Sequence, residues 1–138
     1  MDRDIIQAVL TWLRSMPALA AIGVDLERLP TDGSGGAMLQ SLQGDPVVTR
    51  YRSGGYIAQY PFAVVVRTGA GDTSGRLDAM DVLGALWAVV EAGSRPDAPD
   101  GSDIVSLAIR TTPARISADE DGTEDYQATF ALTYRKRG

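Results

Sequence analysis

One stretch, residues 51–91, most constrains the fold of this 138-residue chain. Its segment 56–67 (YIAQYPFAVVVR) is rich in aromatic and β-branched residues, which pack well on a pleated, half-buried surface. Pro61 interrupts this segment and cannot donate a ladder hydrogen bond. We therefore expect a strand start, a bulge or an edge at Pro61, and a firm strand over 62–68. A Gly-rich connection follows, and the next pattern predicts a helix from about 74 to 92.

The predicted helix is unusually apolar. Residues at spacings of three and four share one predicted face: Leu77, Met80, Leu83, Trp87 and Val90. Val82, Leu86 and Val89 widen that face beyond a narrow stripe. A helix of this kind is either deeply buried, or buried once in its own core and a second time against a neighbouring molecule.

The remaining segments alternate turn-forming residues with short β-type runs. We expect an opening helix over 2–16, which Pro17 ends or kinks, and a loop over 23–36, with a short strand around 24–29 as the alternative. Strands are expected over 37–43, 47–52 and 104–118, and a final clean strand over 126–135. The strands lie between or after the two helices and are joined by hairpin-type links. The pattern predicts one α+β domain over 1–138, a mainly antiparallel β-sheet with two helices packed on one face.

Residue types restrict the possible chemistry. The chain has no histidine and no cysteine, so a Ser-His-Asp triad and a thiolate metal site are excluded. Lys136 is its one lysine and lies in the C-terminal tail, so a catalytic Ser-Lys pair is nearly excluded. We predict no catalytic residue, no bound cofactor and no metal site. A hydrolase that uses carboxylates is the enzymatic alternative, and it needs two acids with shifted pKa values in one pocket.

Two segments deserve comparison with known ligand-binding loops. The acidic segment 119–125 (DEDGTED) lacks the spacing of an EF-hand loop, so we expect a solvated hairpin turn, with a Ca²⁺ or Mg²⁺ site as the alternative. The Gly69-Ala70-Gly71 segment lacks the lysine of a P-loop and the third glycine of a dinucleotide-binding turn. We expect it to be a plain strand-to-helix turn.

The charge and hydropathy of the chain exclude two classes of partner. The formal net charge of −5 argues against broad non-specific binding to nucleic acid. The apolar runs are too short to predict a transmembrane helix, so no membrane partner is expected. The acidic N-terminal residues beside Arg3 do not resemble a signal peptide.

Several motifs, in this order, resemble the small phage proteins known as minor capsid or tail terminator (tail-completion) proteins. The first motifs are an opening helix (1–16), a QYPF strand (56–63) and an apolar helix with LxxLxxW-type spacing (77–91). An extended segment (114–118) and an acidic hairpin before a final strand (121–126) follow. Together they cover nearly the whole chain.

The resemblance implies a structural virion protein without enzymatic activity. In that family the chain would assemble, after synthesis in the host cytoplasm, as a homo-oligomeric ring of six subunits at the head-proximal end of a siphophage tail. The ring would end growth of the tail tube and bind the tail tube protein and a head-completion or connector protein, with DNA passing through its lumen. The alternatives are a small acidic protein-binding adaptor or another head–tail connector (neck) protein.

A ring requires a surface that binds the next subunit. Arg50 and Arg52 are two residues apart on a predicted strand, so we expect them on one strand face, opposite Tyr51. We predict that this strand and the helix face left outside the core form the interface. The predicted interface residues are Arg50, Arg52, Tyr56, Asp81 and Trp87.

Overall fold

The computed structural model describes residues 3–31, 35–43, 47–68, 73–118 and 122–137, without the side chains of 47 and 48. Its helices are α1 (Arg3–Arg14), α2 (Pro17–Ile22) and α3 (Thr73–Glu91). Its strands are β1 (Val24–Leu26), β2 (Gly36–Ser41), β3 (Val47–Arg50), β4 (Tyr56–Thr68), β5 (Ser102–Ala118) and β6 (Glu124–Lys136). The predicted α+β class is confirmed, and the short helix α2, which Pro17 begins, is an addition to the two predicted helices.

The strands form one six-stranded sheet in the order β1-β2-β4-β6-β5, with β3 beside the first residues of β4. β1 and β2 are parallel, and every other pair is antiparallel. β4 pairs with β6 along its whole length, from Tyr56 opposite Lys136 to Thr68 opposite Glu124. The other side of β4 is shared by β3 and β2, which pair with its beginning and its end.

The core lies between the three helices and one face of the sheet. Alternate residues of β4 and β6 point into it, and they are Ala58, Tyr60, Phe62, Val64, Val66, Tyr126, Ala128, Phe130, Leu132 and Tyr134. The apolar residues that alternate along the final strand therefore form its buried face. The Phe62 ring is stacked between Tyr60 and Phe130, with centroid distances of 5.5 and 5.4 Å. α3 packs against β4, β5 and β6, and buried aliphatic side chains of α1 and α3, among them Val9 and Leu83, belong to the same core.

Pro61 lies inside β4, so the expectation that it marks a strand start is wrong, whereas the strand expected over 62–68 is present. Pro61 pairs in register with Ala131, and its carbonyl oxygen accepts a hydrogen bond from the Leu42 N–H at 3.0 Å. The N and C=O of one strand residue point to the same side, so the missing N–H of Pro61 faces β2 rather than β6. It falls at the end of the β2 ladder, opposite Leu42, and before β3 begins, so the cost is confined to the one reciprocal bond to the Leu42 carbonyl at the ladder's end.

α3 is rotated relative to the predicted core face. Its buried residues are Ala79, Leu83, Leu86 and Val90, whereas Leu77 and Met80 are 59% and 36% exposed. The prediction that Leu77 and Met80 share the buried face is therefore wrong. The helix ends at the expected place, because Gly93 adopts a φ of 94° and donates its N–H to the Val90 carbonyl.

The hairpin between β3 and β4 also differs in detail from its prediction. β3 ends at Arg50, and the chain turns through Tyr51 and Arg52, where the Tyr51 N–H donates to the Gly55 carbonyl at 2.8 Å. Arg50 and Arg52 therefore do not share a strand face; Arg52 lies in the turn. No helix in the described part of the chain is long and apolar enough to cross a membrane.

Candidate functional site

An ion-pair network joins the ends of three strands to the first turn of α3. Glu124, at the start of β6, is only 5% exposed. The Arg76 guanidinium donates to both of its carboxylate oxygens at 2.8 to 3.0 Å, and the Tyr126 hydroxyl donates to Oε2 at 3.0 Å. Arg115 of β5 approaches the same carboxylate at 3.8 Å. One buried acid thus contacts α3, β5 and β6.

A second pair lies beside the first, on the opposite face of β6. Arg67 donates to both oxygens of Asp125 at 2.8 and 3.0 Å and to the Pro30 carbonyl at 2.7 Å. Ser117 donates to Oδ2 of Asp125 at 3.1 Å. Planar, two-point contacts between a guanidinium and a carboxylate are among the strongest charged hydrogen bonds. The pair therefore fixes the end of β4 against β6 and β5.

These contacts decide the protonation state of the network. The hydrogen bonds from Arg76 lower the pKa of Glu124 below its ordinary value, with help from Tyr126, although burial acts in the opposite direction. Burial raises the pKa of Tyr126, and the hydrogen bond to Glu124 raises it further. Glu124 thus stays ionised and Tyr126 stays neutral. A general acid needs a raised carboxyl pKa, so the network has the properties of a structural clamp.

The predicted solvated turn over 119–125 is wrong for its last two acids, since Glu124 and Asp125 belong to β6 and are buried. Residues 119–121 and the Gly-rich segment 69–71 lie outside the described residues, so their predictions stay untested. Within the described ranges, no three acidic side chains are grouped closely enough to hold a metal ion.

The sequence pattern missed this network because it treated the acids as one local run. The network could have been predicted by extending the period-two alternation of β6 two residues towards its start. Glu124 then lies on the same face as Tyr126. An acid on a core-facing position needs a cationic partner, and Arg76 stands at the beginning of the predicted helix.

The five predicted interface residues fall into two groups in the structure. Arg50, Arg52 and Tyr56 lie together around the β3–β4 turn, with the Arg50 guanidinium 5.7 Å from the centre of the Tyr56 ring. Asp81 and Trp87 lie on α3. The turn is at the opposite end of β4 from the first turn of α3.

The two groups differ in exposure. Arg50, Arg52 and Asp81 are exposed, whereas Tyr56 and Trp87 are half-buried. The indole N–H of Trp87 is buried and has no hydrogen-bond partner among the described residues. Large apolar side chains that reach the solvent include Tyr51 beside the two arginines and Leu77 and Met80 on α3.

The end of the sheet that carries the turn has its own charged contacts. Arg135, near the end of β6, and Arg137, just after it, lie 3.0 and 3.5 Å from the carboxylate of Asp103 in β5. All three side chains are substantially exposed, and exposed pairs of this kind contribute little to stability.

No protein-family model matches the chain, and no curated protein sequence matches it. Among solved structures, the chain is similar to one chain of a structure described as "Virion of native gene transfer agent (GTA) particle". The TM-score is 0.62 at 18% sequence identity, and the alignment covers 97% of this chain and 99% of the other. At this identity the likeness establishes a shared fold, and it extends over nearly all of both chains.

Proposed function

We propose that the chain is a structural virion protein of a tailed phage or prophage, and that it acts as a tail terminator. The observation that carries the proposal is the fold likeness to a chain of a gene transfer agent virion, because it spans 97% of this chain without large unmatched segments. The order of the QYPF strand, the apolar helix and the acidic hairpin supports the finer assignment to the terminator family.

In this role the chain assembles with itself as a ring, ends growth of the tail tube and binds a head-completion or connector protein. The charged groups that the structure brings together also support a structural role, since Glu124 and Asp125 are each held by arginine rather than open to a substrate. DNA passes through the ring without specific binding. The protein is then part of the head-proximal end of the virion tail.

The test is the mass of the protein in solution. Light scattering on a size-exclusion column, across a concentration series, should give about 88 kDa, six times the 14.6 kDa of one chain. Tail tubes purified from the same virion should take up the protein at one end only, as seen by negative-stain microscopy. A species of one-chain mass at every concentration, which also fails to bind the tubes, would contradict the proposal.

A small acidic adaptor is the second candidate, and the net charge of −5 favours it. An adaptor stays a monomer or dimer and binds a protein partner through an exposed surface. A head–tail connector of the neck is the third, and it also forms a ring. Tube-end binding separates the terminator from the connector, because the proposed terminator binds the end of the tail tube itself.

A further inference from the structure

The outer face of α3 has the composition of an interface. We define it by Leu77, Asp78, Met80, Asp81 and Gly84. The two apolar side chains are 59% and 36% exposed, and both aspartates are exposed. Neither aspartate forms an ion pair with another described residue. An apolar centre with a polar rim is the arrangement of a protein-binding surface, and the unpaired acids give this one a negative charge.

Gly84 gives a second, independent indication on the same face. A glycine inside a helix costs about 0.5–1 kcal/mol relative to alanine. A Cβ added at Gly84 would have no atom within 4 Å, so nothing in the described chain requires a glycine there. A glycine at this position would allow another molecule to approach the helix backbone closely, which explains why a glycine stands there.

The β3–β4 turn has the complementary character. Tyr51 is 46% exposed and stands between Arg50 and Arg52, which are both exposed. Arg50 contacts the Tyr56 ring, and neither arginine forms an ion pair with another described residue. The turn thus presents one aromatic ring between two cations.

The two surfaces are far apart in one molecule. Arg50 pairs with Tyr56 at the start of β4, whereas Arg76 of α3 binds Glu124, which pairs with Thr68 at the end of β4. A strand of 13 residues spans about 40 Å at about 3.3 Å per residue. The turn therefore cannot reach the first half of α3 in its own chain.

We propose that the Arg50–Tyr51–Arg52 turn of one copy binds the outer face of α3 on the next copy. The proposal rests on the proposed ring and names its subunit contact. Tyr51 packs on Leu77 and Met80 over the space beside Gly84, and the two arginines pair with Asp78 and Asp81. Different surfaces meet at such a contact, so it propagates head to tail and closes as a ring when the rotation allows. Charge pairing fixes its register.

A charge-exchange experiment tests this contact. The variants are R50E/R52E, D78R/D81R and the fourfold combination of both. Each double variant should raise the concentration needed for assembly at least about tenfold, and the fourfold variant should restore assembly. R3E/R28E is the matched control, because it makes the same charge change at two exposed arginines outside both surfaces. Circular dichroism checks that every variant is folded.

Gly84→Ala should change assembly and the stability of the single chain in opposite directions. It should weaken assembly while it raises the unfolding temperature of the dissociated chain, since a helix interior favours alanine. Ala88→Gly, further along the exposed side of α3, is the reverse change and should lower the unfolding temperature.

The outcomes separate the contact from the ring itself. If the wild-type ring forms and either double variant leaves it intact, this contact is wrong and the proposed function stands. If both double variants dissociate and the fourfold variant does not recover, the two surfaces do not bind each other. A wild-type chain that stays single at every concentration, alone and with tail tubes, overturns both the ring and the contact.

Discussion

Glu124 shows how a single buried acid can hold a fold together. Its pKa lies below the ordinary value of 4.5 because Arg76 donates to both carboxylate oxygens. The folded chain therefore binds a proton here less readily than the unfolded chain does. The resulting contribution to stability is complete above pH 4.5 and is lost as the pH falls through the lower, folded-state pKa.

We expect Glu124→Gln to lower the unfolding temperature at pH 7, and the difference from wild type to shrink steadily as the pH is lowered from 4.5 through the lower, folded-state pKa. The measurement is thermal unfolding by circular dichroism over that pH range. Asp103→Asn is the control: it removes an exposed acid that also pairs with arginines, so its effect should stay within about 1 kcal/mol at every pH. A Glu124→Gln effect that does not change with pH would contradict the clamp.

At the scale of elements, the central strand β4 tolerates a proline because its two ladders are offset. Pro61 turns its nitrogen towards the gap between β2 and β3. The β6 ladder on the other side is continuous, so β4 remains one strand of 13 residues. The position within the ladder, and not the residue type alone, sets the cost of a proline in a sheet.

We expect Pro61→Ala to change the free energy of unfolding by less than about 1 kcal/mol, mostly through the greater freedom of the unfolded chain. Ala63→Pro should cost about 3 kcal/mol or more, because Ala63 faces the same side but is paired with Gln40 of β2. Urea unfolding of both variants measures the contrast. Equal losses would show that the offset of the ladders does not protect Pro61.

The whole molecule has its exposed apolar residues at separate places. Leu77 and Met80 lie on α3, Tyr51 lies at the β3–β4 turn, and Val105 and Ile116 lie on the edge strand β5. A chain that buries such patches against its own copies gains stability with concentration, since assembly draws on the folded state alone.

We therefore expect the unfolding temperature of the wild-type protein to rise as its concentration is increased, and that of R50E/R52E to stay constant over the same range. Differential scanning calorimetry at several concentrations provides the measurement. A wild-type midpoint that is independent of concentration would argue against an assembly that stabilises the fold.

The order of elements and the core could be predicted from local patterns. Period-two alternation in Tyr126 to Tyr134 and period-3.6 clustering in α1 each record which side of an element is apolar. Gly93 marked the end of α3 because its positive φ disfavours other residues. Each of these patterns involves residues that are close together in the sequence, so it can be recognised before the fold is known.

Only the tertiary structure decided the position of Pro61, the outward turn of Leu77 and Met80, and the burial of Glu124 and Asp125. Each depends on a partner distant in the chain: Leu42 beside Pro61, Arg76 against Glu124, and Arg67 against Asp125. α3 has apolar residues on more than one side, so its own pattern allows several rotations. Its contacts with the sheet, the Arg76–Glu124 pair among them, select one rotation. The sequence by itself determined the two long helices and the long strands, while long-range pairing determined which of their faces remain free to bind.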